Sequence, residues 1–349
     1  MTYRPADNPA SSLHLSPEPR IVVALTARER KLFFADRASA FSQSWRVLED
    51  AQLRPETWSE LLRELQPEIL LTGWSTPPLP EAWIAQADCR LRYVCHVTGS
   101  VRRLVPRGFI ERGGLVTNWG ETVSAQVAEH ALLLALGALR SAAIWPSFIA
   151  RPPEARRIEE LGTRSLFGLR VGLHGFGSVA RALLPLLAPF NVSLSAFSAG
   201  VAPEAMRSLG VTACASLEEL FGESDVLIEC EALTPATQGV VSAALLARLP
   251  NDAVFVNVGR GGLVDDEALL RETRSGRLRV ALDVANGEPL TPESDLAQTR
   301  QIFLSPHIGG PTLDRYAACG SIALDNLRSV LQGHRPRSAI DLVAYDRAT

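Results

Sequence analysis

"GLHGFGSVA", residues 172–180, decides the fold of this chain. Apolar residues run into Gly175 and Gly177, and "SVARALLPLLAPF" continues with helical spacing, so the segment reads as strand, glycine turn, helix. In a dinucleotide-binding turn Gly175 permits the tight bend and Gly177 lets the main chain approach a pyrophosphate. Ala180 keeps helix and strand close, and the helix N-terminus faces the anion. A sharp corner without a ligand would carry the same glycines, so the surroundings decide between the two. Pro185 inside the helix predicts a kink or an early end.

Working outward, "VSLSAF", "DVLIEC", "AVFVNVG", "RVALDV" and "IFLSPH" are further apolar runs, most of them separated by helix-like segments. Upstream, "RIVVAL", "EILLTGW", "LRYVCHV" and "GLVTNW" form an earlier alternating series. Near-continuous apolar strands between helices predict parallel sheets covered on both faces, an α/β fold. "VSAQVAEHALLLALGALR" (123–140) predicts a long, largely buried helix with Ser124 as its N-cap. "LDRYAACGSIALDNLRSVLQGHRP" predicts a helix ended by Gly333 and Pro336. The first twenty residues, rich in Pro and Ser, read as a disordered tail with no export signal.

At 349 residues the chain exceeds what one core usually serves, so two domains are expected. A formal charge of -3 and the lack of any long apolar run argue against nucleic acid and membrane as partners. Five scattered cysteines, with no C-x-x-C pair, read as reduced thiols and a cytoplasmic location. Lys31 is the only lysine, which rules out a Walker A loop and leaves cationic work to Arg or His. The six histidines are dispersed, with no metal-binding spacing, and His130 on the long helix reads as a core residue.

An NAD-selective fold places an acidic residue about 20 positions after the turn, to take the ribose hydroxyls. Here "VSLSAF" is followed by Ser198, and no arginine follows until Arg207. Losing that acceptor gives up a charged hydrogen bond of about 1.5 to 3 kcal/mol and the repulsion that excludes a 2′-phosphate, so weak NAD selectivity is expected. Three later stretches, "VNVGRGGLVDDEAL", "ALDVANGEPL" and "SPHIGG", each end or follow a strand, and strand ends in a parallel sheet share one rim. Arg260, Glu288 and His307 can therefore converge there. Arg offers a planar fork for a carboxylate, His a proton near neutral pH, and a carboxylate beside it favours the imidazolium. Singly, each has an ordinary explanation: a turn cap, a solvated loop residue, a satisfied loop histidine.

Together with "GFGSVA" and "LTPATQGVV", these stretches occur in an order that resembles the D-isomer-specific 2-hydroxyacid dehydrogenase family, over most of the chain after the tail. The nineteen-residue spacing from Glu288 to His307 is similar to that family's. The resemblance implies a Rossmann doubly wound dinucleotide-binding domain (125–310) and a discontinuous flavodoxin-like substrate domain (21–124 and 311–345). Helices near 123–140 and 314–333 would cross between them, in a homodimer. It implies that Arg260 binds the substrate carboxylate, His307 is the acid/base, Glu288 is its partner and Asp283 meets the nicotinamide carboxamide. NAD or NADP would lie along Gly175, Phe176, Gly177, Ser178, Val179, Ser198, Leu233, Thr234, Val258, Gly259, Asp283, His307 and Gly309. Formate dehydrogenases of this superfamily carry glutamine where Glu288 stands, which disfavours that activity.

Two departures bear on specificity. Where relatives have a Gly-x-Asp-Asn loop that holds the substrate carboxylate on its amides, this chain reads "VTGSVRRLVP". Gly99, Ser100 and Val101 still offer amides. Arg102 and Arg103 either contact a second anionic group on a larger substrate or are simply solvated. Cys230 and Ala232 also replace the family's His and Pro before "LT". The implied activity is hydride transfer between NAD(P)H and a 2-oxo acid. The alternative is a nucleotide-sensing corepressor of the same fold.

Overall fold

The computed structural model describes residues 13–35 and 41–347. They form two compact units, one from the described residues up to Val123 together with those from Thr312 onward, and the other Ser124–Pro311. Within the tail expected to be disordered, residues 1–12 lie outside the described residues. Further along, the Ser16 amide and hydroxyl both donate to Glu68, and Glu68 N and Ile69 N donate to the Arg20 carbonyl, so this part is tied down.

In the first unit β1 (Ile21–Ala24), β2 (Arg46–Val47), β3 (Ile69–Thr72), β4 (Tyr93–His96) and β5 (Leu115–Thr117) form a parallel sheet in the order β2-β1-β3-β4-β5. Alternate strand residues such as Val22, Leu70, Val94 and Val116 pack into one core with Trp58 and Trp83. The helix Tyr316–Leu331 lies on the other face, where Cys95 donates to the Ala323 carbonyl. A Cβ at Gly320 would stand 1.9 Å from the Phe33 carbonyl oxygen, so only glycine lets this helix approach helix Ala27–Phe34 so closely.

The second unit is a seven-stranded parallel sheet: β6 (Arg170–His174), β7 (Ser193–Phe197), β8 (Thr212–Ala213), β9 (Val226–Glu229), β10 (Ala253–Asn257), β11 (Leu278–Leu282) and β12 (Phe303–Leu304), in the order β12-β11-β10-β9-β6-β7-β8. Strand residues alternate between two cores: Val171, Leu173, Ile228 and Val256 face helices Ser124–Leu139 and Ser178–Leu187, whereas Leu227, Phe255 and Leu282 face helix Asp266–Arg274. This is the doubly wound, two-faced arrangement that apolar strands require. Ser124, expected as an N-cap, is the first helical residue instead. Helix Ser178–Leu187 accommodates Pro185 and ends two residues later in a 3-10 turn. Among the described residues no single helix is long and apolar enough to cross a membrane.

Candidate active site

Strand register lines up one edge of the second sheet. Leu304, Leu282, Asn257, Glu229, His174 and Phe197 are successive partners across β12, β11, β10, β9, β6 and β7, so the loops that follow them start from one row. Glycines let those loops pack together. A Cβ at Gly261 would stand 2.0 Å from the Ala285 carbonyl carbon, which places the turn bearing Arg260 against the loop bearing Glu288. A Cβ at Gly259 would stand 2.9 Å from the Glu231 carbonyl oxygen, and one at Gly262 2.8 Å from Leu233.

After β6, Gly175 takes φ +90°, which L side chains avoid, and a Cβ there would strike Glu231 main chain at 2.7 Å. Gly177 caps helix Ser178–Leu187, and a Cβ on it would meet nothing within 4 Å, leaving an open main-chain face at a helix N-terminus. Ala180 is fully buried between helix and strand. Phe176, expected at the coenzyme, is 1% exposed in the core; only its main chain can serve there. Val179 is half-buried and Val258 buried in the same core. Thr234 N donates to Thr237 Oγ1, forming a short turn after β9.

After β10, Asn257 accepts from Gly259 N and donates to the Arg260 carbonyl, fixing the turn that presents Arg260, whose Nη1 donates to the Gly259 carbonyl. After β11, Glu288 turns back on its own loop: Oε1 accepts from Ala285 N at 2.6 Å, and Oε2 lies 2.6 Å from His307 Nδ1. His307, half exposed at φ +54°, donates its amide to the Asp283 carbonyl. With Nδ1 committed to Glu288, proton exchange falls to Nε2.

Asp283 is 4% exposed and its carboxylate is fully engaged. Ser305 Oγ and Ile308 N donate to Oδ1, Gly309 N donates to Oδ2, and His130 Nε2 lies 3.2 Å from Oδ1. Burial alone would raise this carboxyl, but the bonds from His130, Ser305, Ile308 and Gly309 outweigh it and hold the value at about 2. Gly309 is required here because a Cβ would stand 2.7 Å from Oδ2. Asp283 thus grips the main chain on either side of the imidazole, a role that the expected carboxamide contact did not anticipate. His130, read as core, belongs to the same polar cluster, with Nε2 2.8 Å from Ser305 Oγ.

Two neighbouring ionisable residues escaped the sequence reading. His174 and Glu229, register partners at the ends of β6 and β9, form a buried pair with Nδ1 2.5 Å from Oε2. Burial pushes the imidazole value down, but Glu229, with a smaller contribution from Glu231, more than offsets it, leaving His174 above its ordinary value. Glu229 Oε1 also accepts the amide of Glu231, whose carboxylate in turn accepts from Ala232 N and from Ser198 Oγ at 2.9 Å.

In the first unit Gly99, Ser100 and Val101 follow β4. The Gly99 carbonyl accepts from Asn118 Nδ2, and a Cβ on Gly99 would stand 2.8 Å from the Trp119 indole. Trp74, 53% exposed, lies edge-on to Trp119 and to Tyr316, with centroids at 6.1 Å and 6.0 Å. Arg102 and Arg103 are exposed.

A sequence model described as the D-isomer specific 2-hydroxyacid dehydrogenase NAD binding domain matches residues 133–309. The chain is 32% identical over 66% of its length to the D-3-phosphoglycerate dehydrogenase of Mycobacterium leprae, and the matched stretch covers 43% of that protein, less than half its length. It is 28% identical over 74% of its length to the 4-methyl-2-oxopentanoate reductase A of Aspergillus oryzae, covering 77% of it. The apo D-mandelate dehydrogenase of Rhodotorula graminis shares the fold with a TM-score of 0.77 at 22% identity, over 92% of this chain and 97% of that one.

Proposed function

The chain belongs to the D-isomer-specific 2-hydroxyacid dehydrogenase family, and from that premise we propose that it interconverts a 2-oxo acid and a D-2-hydroxy acid with a nicotinamide dinucleotide, through Arg260, Glu288 and His307. The carrying observation is the Glu288–His307 contact of 2.6 Å on a half-exposed imidazole, in the row of loops that begins at the glycine turn. The turn fits the coenzyme: Gly175 in its left-handed conformation and the open main chain at Gly177 form a cradle that side chains would fill. Ser178, Val179, Leu233, Thr234, Val258 and Gly259 would border it.

The bound coenzyme supplies or takes the hydride. The chain's residues do the rest. In reduction, Nε2 of His307 gives a proton to the substrate carbonyl oxygen as the alcohol forms, and Glu288 steadies the imidazolium through Nδ1. Arg260 pairs with the substrate carboxylate through its guanidinium fork. By the family resemblance, the amides of Gly99, Ser100 and Val101 in the first unit are a further carboxylate-binding group. Asp283, through Gly309 and the His307 amide, keeps the imidazole in place.

Within the first unit Trp119 stands against Gly99 and Trp74 lies edge-on to it, so a substrate held on the Gly99 amide would meet aromatic surface, which favours an apolar or aromatic side chain over the bare hydrogen of glyoxylate. Five cysteines without a disulfide support a reducing cytoplasm, and the family resemblance supports a homodimer. The reading is tested by NADH and NADPH oxidation against glyoxylate, pyruvate, 4-methyl-2-oxopentanoate, phenylpyruvate and dicarboxylic or phosphorylated 2-oxo acids. Turnover greatest with the branched or aromatic acids is expected. Turnover confined to the doubly anionic acids would move substrate selection to Arg102 and Arg103. No turnover by folded protein would overturn the enzyme.

A further inference from the structure

Ser198 immediately follows β7, where the ribose-binding carboxylate of an NAD-selective fold is expected, yet a carboxylate is present there. It arrives from another strand. Because β6 lies between β9 and β7, the segment after β9 must pass over the glycine turn to reach the end of β7. Gly175 permits that passage, since a Cβ on it would collide with Glu231 Cα and N at 2.7 Å. The Glu231 carboxylate then lies 2.9 Å from Ser198 Oγ, which donates to it.

Resting on the dehydrogenase reading above, we infer that Glu231 performs the task of the missing acidic residue: it accepts from the adenosine ribose hydroxyls and excludes a 2′-phosphate, making the protein selective for NAD(H).

Three features hold the carboxylate in place. Glu229 Oε1 accepts the Glu231 amide, Ala232 N donates to Oε1 of Glu231, and the Ser198 hydroxyl orients Oε2. Glu229 is itself anchored on His174, so the polar residues at the ends of β6 and β9 form the footing of the selective group. The serine is thus part of the device: an aspartate at 198 would repel Glu231, whereas a hydroxyl donates to it. Each remaining lone pair of the half-buried carboxylate can accept a ribose hydroxyl, and a phosphate dianion at the same place meets a like charge.

The test is direct binding of NADH and NADPH to the full chain, by calorimetry or by coenzyme fluorescence, in the wild type and in Glu231→Gln. The wild type is expected to bind NADH about 10- to 100-fold more tightly than NADPH, the worth of one charge-assisted hydrogen bond. Glu231→Gln, which keeps the shape and removes the charge, is expected to shrink that ratio about tenfold by weakening NADH and strengthening NADPH. A gain in NADPH affinity cannot come from a damaged fold. Equal binding of the two by the wild type, or an unchanged ratio in the variant, would overturn the role of Glu231 while leaving the dehydrogenase intact. No binding of either coenzyme by the wild type would overturn both.

Discussion

Two glutamate–histidine pairs occur on loops and strand ends of the same sheet, with nearly equal spacing: 2.5 Å in His174–Glu229 and 2.6 Å in His307–Glu288. Their surroundings differ. The first has side-chain exposures of 3% and 0%, the second 50% and 29%. A buried pair keeps its charges only because each compensates the other's lost hydration, so neither partner can give up its proton or charge without cost to the fold. A pair at the rim keeps its contact with water, so neither partner depends on the other for its hydration. Identical chemical groups are therefore locked against one another in one place and open to water in the other, and only the second could act as a reagent in the reaction proposed above.

The largest expected effect comes from removing the exposed imidazole. His307→Ala should lower the turnover number about 10²- to 10⁴-fold, the worth of a positioned acid, with coenzyme affinity nearly unchanged by fluorescence titration. The buried pair should respond in stability. Glu229→Leu, which leaves His174 buried without its partner, should cost about 3–5 kcal/mol in denaturant unfolding, and adding His174→Leu should recover most of it. Equal losses in the single and double variants would mean that the two groups are not coupled.

The two regions should also part company in pH. His174 has a raised value, so its stabilising contribution is complete below the unfolded histidine value of about 6.5 and is lost as pH rises through the folded value. Asp283 has a lowered value, so its contribution is complete above 3.8 and is lost as pH falls through about 2. The part of the alkaline loss of unfolding free energy that begins at about pH 6.5 should vanish in the His174→Leu/Glu229→Leu double variant. The total loss of stability across the acid range should be about 2 kcal/mol smaller in Asp283→Asn, the energy of such a shift.

The sequence revealed the sheet classes and the exposed pair because both depend on local pattern. Apolar runs gave the strands, the glycine turn gave the crossover, and the short loop motifs kept Glu288 and His307 legible as a unit. The buried pair was also written in the residues, as two ionisable side chains ending the apolar runs "RVGLH" and "DVLIE". Seeing it required knowing that β6 and β9 are neighbours in register, which strand order supplies and local pattern does not. Glu231 stayed hidden for the same reason, since its approach to Ser198 passes over β6, which separates β9 from β7 in the sheet but not in any local pattern. His130 was read as core without its partners, because an isolated histidine on an apolar helix gives no sign of them. Ser305 and Asp283, more than 150 residues away, provide them.

The central claim, that the exposed pair is the proton donor of a hydride transfer, is tested most directly by rapid mixing. NADH-loaded wild type and His307→Asn would each be mixed with the best 2-oxo acid, and the single-turnover loss of nicotinamide absorbance recorded. The account predicts equal coenzyme loading in both and a rate at least about 100-fold lower in the variant. Equal rates would contradict it and remove His307 from the chemistry.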